Sequence, residues 1–327
     1  MPEGYHMKYV KFILKCIAAA LPAIALIAFT ALCPMCYMDE EYPAWRLKME
    51  VSRQEAFSGE DFDTVILGDS GAMSAIIPEM FEEDCISLAT GGATSIEMYS
   101  FLEDYLACHK APKTVIIMFA PFHYWNIDNF DTRTVYFKAL PFERMTQVYR
   151  DAISVGSSTV FSGNPMMNEL AARCSLPTKY LPAITAAKFI GRYDTNVRLY
   201  DELVRSKGWG TFGSADSCYD QSYETSYDDL EIDGDTKLLA LYLQKILRLC
   251  NENHIHVRLL QPAVNNATFD NLNEHYYASY KNLIKEAVSV SDDIEYETEL
   301  RVYDGKYFSD SSHLNREGAE KFTGEIR

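Results

Sequence analysis

Short apolar runs alternate with helical patterns along most of the chain after residue 61. Four of these runs lead directly into glycine, alanine or proline signals, as the buried strands of a parallel sheet do. They occupy residues 64–67, 85–88, 115–119 and 257–260. We therefore predict four strands that are buried on both faces of one sheet.

Helical patterns separate the predicted strands. Thr94 stands three residues before Glu97 in a capping-box pattern, and an apolar stripe follows it. Residues 236–253 and 276–288 carry similar stripes. Strands that alternate with helices predict an α/β fold, with a parallel sheet covered on both faces.

The alternation stops between residues 123 and 235, where helix-like stretches and a polar, aromatic segment occur instead. The strand pattern resumes after this stretch. We therefore predict one domain over residues 62–327 that contains a long helical insertion, and the final helical pattern is still running where the sequence ends.

An uncharged run of 23 residues, 16–38, is the one candidate for a membrane-spanning helix, which needs roughly 20 apolar residues. Three lysines precede this run and three acidic residues follow it. The positive-inside rule then places residues 1–15 in the cytoplasm and everything after the run outside. The sequence predicts a single-pass anchor in the cell membrane, a stalk over residues 39–61 with Tyr42 and Trp45 at the membrane interface, and an extracytoplasmic domain.

Other interpretations of the amino terminus stay open. A cleaved signal peptide also begins with basic and then apolar residues, but no clean cleavage site follows this run. Cys33 and Cys36 suggest a lipoprotein, although large residues precede both of them. Translation from Met7 would give a natural basic start.

The charge balance excludes one class of partner. A net charge of −17 and a pI near 4.8 would repel a polyanion, so we expect no nucleic-acid binding. His254 and His256 alternate along a predicted strand without a third ligand nearby, and we expect neither a metal nor a cofactor. The cysteine spacing allows no disulfide to be assigned.

Candidate chemistry begins at Gly68-Asp69-Ser70, directly after the first predicted strand. Open parallel sheets bind ligands at the carboxyl ends of their strands, which is where Ser70 would lie. A serine hydroxyl is a weak nucleophile unless a neighbouring base accepts its proton. The hypothesis that Ser70 is a nucleophile therefore requires a histidine that a carboxylate holds in place.

Asp310 and His313 supply that pair near the other end of the chain. An aspartate three residues before a histidine can hold the Nδ1 proton and leave Nε2 for the serine. Asn315 is a suitable N-cap for a helix that follows the histidine. We predict Ser70, His313 and Asp310 as a catalytic triad.

Acyl transfer also needs hydrogen-bond donors for the negative charge that develops on the substrate oxygen. Backbone N–H groups at a loop or helix start commonly provide them. Gly91 and Gly92 lie after a predicted strand and just before a predicted helix. We expect an oxyanion hole formed by these two amides and the amide of Ser70.

These motifs resemble the SGNH (GDSL-type) hydrolase superfamily. Gly68-Asp69-Ser70 is similar to its first block, Gly91 or Gly92 to its second and Asp310-x-x-His313 to its last. The resemblance covers roughly residues 62–122 and 238–323 and implies a flavodoxin-like three-layer α/β/α sandwich. Gly-Asp-Ser-Gly also occurs in chymotrypsin-like proteases, but there the histidine and aspartate precede the serine.

The third block of the superfamily, Gly-x-Asn, is missing. Asn126 or His123 is the candidate to replace its asparagine in the oxyanion hole. This lack, together with the predicted anchor and insertion, is similar to the DltD-like and alginate O-acetylation-type branch. That likeness implies a serine esterase or O-acyltransferase that takes an acyl ester or thioester and acts on a cell-surface glycan or polymer beside a membrane-bound O-acyltransferase. The alternative is a non-catalytic adaptor with the same fold that binds such an acyltransferase or a glycan.

Overall fold

A computed structural model describes residues 3–32, 35–127, 129–160, 190–291 and 293–327. The strands are β1 (Thr64–Gly68), β2 (Cys85–Ser87), β3 (Thr114–Met118), β4 (His256–Leu259), β5 (Ala263–Asn265), β6 (Ile294–Tyr296) and β7 (Arg301–Tyr303). The α-helices are α1 (Glu3–Leu32), α2 (Tyr42–Ser52), α3 (Ser70–Ala75), α4 (Pro78–Phe81), α5 (Ser95–Cys108), α6 (Phe142–Val155), α7 (Ile190–Arg205), α8 (Gly234–Glu252), α9 (Asn266–Asp270), α10 (Glu274–Val288) and α11 (Arg316–Ile326).

Five of the strands form one parallel sheet in the order β2-β1-β3-β4-β6. If the five strands of this sheet are numbered 1 to 5 along the chain, their order is 2-1-3-4-5, as in flavodoxin-like sheets. β1 and β2 are buried at every position, and β3 at all but its first. The predicted parallel α/β sheet and its four strands are therefore confirmed, except that β4 alternates between buried and partly exposed residues and is not buried on both faces. The edge strand β6 was not predicted, because its residues are mostly exposed and carry no apolar run.

Helices pack in two separate groups. From β1 the chain adds β2 on one side of the sheet, and it then adds β3, β4 and β6 on the other side. Because crossovers between parallel strands are right-handed, this reversal places the connecting helices on opposite faces of the sheet. Accordingly α3 and α4 contact α11, whereas α5 contacts α8, and α8 contacts α10. Thr94 caps α5 in the predicted capping box, and Asn315 caps α11. Both caps were predicted from the sequence.

The structure does not support the predicted membrane-spanning helix. α1 ends at Leu32, and within the described part of the chain no helix is long and apolar enough to cross a membrane. The end of the predicted span instead forms a 3-10 helix, Met35–Met38, in which Cys36 is buried. Residues 39–61, predicted as a stalk, contain α2, which packs against α5 and α7. Trp45 is fully buried there in the core rather than placed at a membrane interface.

The connection from β3 to β4 contains α6, α7 and several short helical turns, and no strand occurs among its described residues. α6 contacts α8 on the sheet, and α7 contacts α2. A second, two-stranded parallel sheet joins β5 and β7 beyond the ends of β4 and β6. This small sheet leads the chain into the loop that carries Asp310 and His313.

Candidate active site

Ser70 is the first residue of α3, at the carboxyl end of β1. Its side chain is half-buried. The turn between strand and helix depends on Gly68, whose φ is +157° and where a Cβ would collide with the carbonyl oxygen of Met118 on β3. No other residue type fits this close approach of two strands. The glycine therefore lets the chain turn sharply enough to present Ser70 at the edge of the sheet.

His313 and Asp310 complete a hydrogen-bonded chain with this serine. The Nε2 atom of His313 lies 2.8 Å from Oγ of Ser70. On the other side of the ring, Nδ1 lies 2.9 and 2.8 Å from the two carboxylate oxygens of Asp310. The structure thus brings the three predicted residues together across 243 positions of sequence, with the imidazole between the serine hydroxyl and the carboxylate.

The loop around Asp310 keeps its carboxylate ionised. Burial raises the pKa of Asp310, but His313 and the backbone amides of Ser312 and His313 oppose this effect and hold the pKa below its ordinary value. Phe212 stacks on the ring of His313 with centroids 4.7 Å apart. The carboxylate and the aromatic ring together fix the orientation of the imidazole.

Asp69 is buried behind Ser70 and contacts residues at the start of α3 and just after β3. Its Oδ1 accepts hydrogen bonds from the amides of Gly71 and Ala72 at 2.8 and 3.3 Å. Its Oδ2 accepts from the amide of Ala120 at 2.7 Å and lies 2.5 Å from Nδ1 of His123. Burial raises the pKa of Asp69, but His123 and the amides more than offset this, so its pKa lies below the ordinary value. This carboxylate therefore ties the start of α3 to the end of β3.

Three backbone N–H groups near this edge are without an acceptor among the described residues. The amides of Ser70, Gly91 and Gly92 donate no hydrogen bond within the part of the chain that the structure describes. Gly92 has a φ of +69°, and a Cβ there would collide with Nη1 of Arg133. These are the amides that the sequence assigns to the oxyanion hole, and that role stays a prediction.

The carbonyl oxygen of Gly91, in the same loop, accepts two hydrogen bonds. Trp45 Nε1 donates to the carbonyl oxygen of Gly91 at 3.2 Å, and Arg133 Nη1 donates to it at 3.0 Å. Arg133 also pairs with Glu41 through its other nitrogen. Since the carbonyl is held from two sides, the orientation of the neighbouring amides is fixed before any ligand binds.

The two substitutes predicted for the third-block asparagine have other contacts. Nδ1 of His123 lies 2.5 Å from Oδ2 of Asp69, and the backbone N–H of Asn126 donates to the carbonyl oxygen of Phe122 at 3.1 Å, so the roles assigned to these two side chains stay predictions. Asn129 lies closer to the glycine loop, because a Cβ on Gly92 would be 2.8 Å from its Nδ2. Sequence analysis missed Asn129, since it belongs to no motif and precedes an irregular π-helical turn, Phe130–Val135.

Comparisons with known proteins add little to this geometry. The chain matches no protein-family model and no curated protein. One similar solved structure is a Streptococcus pneumonia protein that carries the provisional name platelet activating factor. The two sequences are 10% identical, the match covers 95% of this chain and 97% of the other chain, and the TM-score is 0.40. This likeness is too low to support a conclusion about fold or function.

Proposed function

We propose that this chain is a serine esterase or O-acyltransferase of the SGNH type, with Ser70 as nucleophile, His313 as general base and Asp310 as the group that orients it. The observation that carries the proposal is the hydrogen-bonded chain from Ser70 through His313 to Asp310. An imidazole with one nitrogen on a hydroxyl and the other on a carboxylate is the arrangement that activates serine for acyl transfer.

The first half of the reaction forms an acyl-serine. His313 Nε2 takes the Ser70 proton while Oγ bonds to the carbonyl carbon of an ester or thioester. The negative charge that develops on the carbonyl oxygen is stabilised by the free amides of Ser70, Gly91 and Gly92. The tetrahedral species then collapses, and the departing alcohol or thiol takes the proton from His313.

The second half regenerates the serine. Water, or a hydroxyl of a glycan or surface polymer, gives its proton to His313 and attacks the acyl carbon, and Ser70 leaves with that proton. Water gives hydrolysis and a polymer hydroxyl gives transfer. A polymer acceptor, an accompanying membrane-bound acyltransferase and an extracytoplasmic location remain part of the proposal, on the resemblance and the charge pattern of the amino terminus.

A serine-directed fluorophosphonate probe tests the nucleophile without knowledge of the substrate. We expect the probe to label the wild-type chain at Ser70, as read by peptide mass spectrometry, and to leave the Ser70→Ala variant unlabelled. Hydrolysis of p-nitrophenyl esters should fall by at least about 10³-fold in that variant.

Ser74→Ala is the matched control, because Ser74 lies one turn further along the same helix and its hydroxyl donates to the carbonyl oxygen of Gly71 rather than to a triad residue. It should keep both labelling and hydrolysis. Equal labelling of the Ser70→Ala variant would contradict the proposal. A folded wild-type chain that neither labels nor hydrolyses would favour the binding-only adaptor instead.

A further inference from the structure

A cavity of about 540 Å³ adjoins the triad. Met73, one turn along the helix that begins at Ser70, forms part of its wall, and so does Gly91 from the glycine loop. Phe212, whose ring stacks on His313, forms another part. The triad residues do not themselves line the cavity, but these neighbours place it beside Ser70, and its size is that of a small-molecule binding site.

The walls are mainly apolar and come from elements outside the sheet. α2 contributes Pro43 and Ala44, and α7 contributes Leu199 and Leu203. Among the described residues that line the cavity, none is lysine or arginine. Glu40, Glu41 and Glu202 also line it and would repel an anionic group, whereas an uncharged hydrocarbon chain fits the space and the mainly apolar lining.

A hydroxyl without a hydrogen-bond partner in the described part of the chain also belongs to this wall. Thr90 is fully buried, and its hydroxyl has no hydrogen-bond partner among the described residues. A buried hydroxyl without a partner is costly, which points to a ligand atom that completes it. Thr90 directly precedes Gly91, so the expected partner is an oxygen at the head of the bound chain rather than at its tail.

We propose that this cavity binds the acyl chain of the substrate, and that the preferred substrates are neutral esters with an apolar acyl chain longer than acetyl. The inference rests on the proposed function, since it places the acyl group of that reaction. It identifies Ala44 and Leu203 as walls that set chain length and Thr90 as a contact for an oxygen of the ester.

Hydrolysis of p-nitrophenyl acetate, butyrate, hexanoate and octanoate tests the proposal. Each added methylene that enters the cavity should raise kcat/KM up to about fourfold. Ala44→Leu fills part of the cavity and should lower the preference for octanoate over acetate by at least about tenfold. Ala278→Leu, the same change on the exposed face of α10, should leave the preference unchanged. Faster hydrolysis of acetate than octanoate by the wild type, or an unchanged preference in Ala44→Leu, would overturn the inference.

Binding to the Ser70→Ala variant separates failure of the cavity from failure of the reaction. Titration calorimetry should show that 1-octanol binds this variant and ethanol does not. Adding Thr90→Val, which keeps the shape but removes the hydroxyl, should weaken octanol binding about fivefold. If octanol binds as expected but no ester is hydrolysed, the proposed reaction fails and the chain-binding site stands. If octanol does not bind, the inference fails whatever the activity.

Discussion

Replacement of Asp69 by asparagine tests whether a buried carboxylate stabilises the turn between β1 and α3, which carries Ser70. The carboxylate has four partners, the amides of Gly71, Ala72 and Ala120 and Nδ1 of His123. Asparagine is the same size but offers one acceptor oxygen and one NH₂ group. Its NH₂ must therefore face N–H donors on one side, so that at least one buried donor loses its acceptor.

The expected loss of stability in Asp69→Asn follows from these contacts. A hydrogen bond to a charged group contributes about 1.5–3 kcal/mol. Asp69 is fully buried, so water does not replace a lost partner. Part of the loss is offset because the variant no longer buries a charge. We expect Asp69→Asn to lower the free energy of unfolding by about 3 kcal/mol, a large share of the 5–15 kcal/mol typical of a domain.

Urea denaturation at pH 7, followed by circular dichroism, measures this loss as a lower midpoint at an unchanged slope. Asp63→Asn is the control, because Asp63 pairs with the exposed Lys113 and such surface pairs contribute about 0–1 kcal/mol. A loss below about 1 kcal/mol for Asp69→Asn would refute the assigned role.

The pH dependence gives a second measurement. The pKa of Asp69 is held below its ordinary value, so the folded chain releases this proton more readily than the unfolded chain. The contribution of Asp69 to the free energy of unfolding is therefore fully present above about pH 4 and is lost as the pH falls through the folded-state pKa. The difference between wild type and Asp69→Asn should be constant near neutral pH and shrink in acid. A difference that grows in acid would contradict the assignment.

Two further predictions concern stability. Gly68→Ala should destabilise the fold by more than about 3 kcal/mol in thermal or urea denaturation, because its Cβ would meet the carbonyl of Met118, whereas Gly324→Ala, with open space around it, should be neutral or slightly stabilising. An equal effect of both changes would contradict the steric explanation. Burial lowers the pKa of Lys48 to about 7, so between about pH 7 and 9 the unfolded chain binds a proton that the folded chain does not. The free energy of unfolding should rise by about 2 kcal/mol across that window and rise less in Lys48→Met; parallel curves for the two proteins would refute the effect of burial.

The parts of the fold that the sequence predicts are those set by local patterns. β1 to β4 are apolar runs, and the cap at Thr94 is a short motif whose geometry depends on neighbouring residues. Ser70 and the Asp310–His313 pair also carry local signatures. Their proximity was inferred only from the rule that parallel strands place ligands at one edge.

Contacts between distant segments carry no such signature. An apolar run followed by Trp45 is typical of a membrane interface, and only the fold shows that its indole reaches the carbonyl of Gly91. The pairing of Asp69 with His123 and the approach of Asn129 to Gly92 depend on how loops after different strands meet. His123 and Asn129 lie in irregular turns, whose sequences show no hydrophobic periodicity from which the positions of these side chains could be predicted.

The separation of Ser70 and His313 by 243 positions has a consequence for folding kinetics. Contacts between residues far apart in sequence form late, because closing such a long loop costs entropy before the contact repays it. The serine lies at the end of the first strand of the sheet, and the histidine lies after the last strand of the chain. If the proposed hydrolysis occurs, its recovery on dilution from denaturant would measure the rate at which Ser70 and His313 come together. Circular dichroism would report the helices and strands that form before that step.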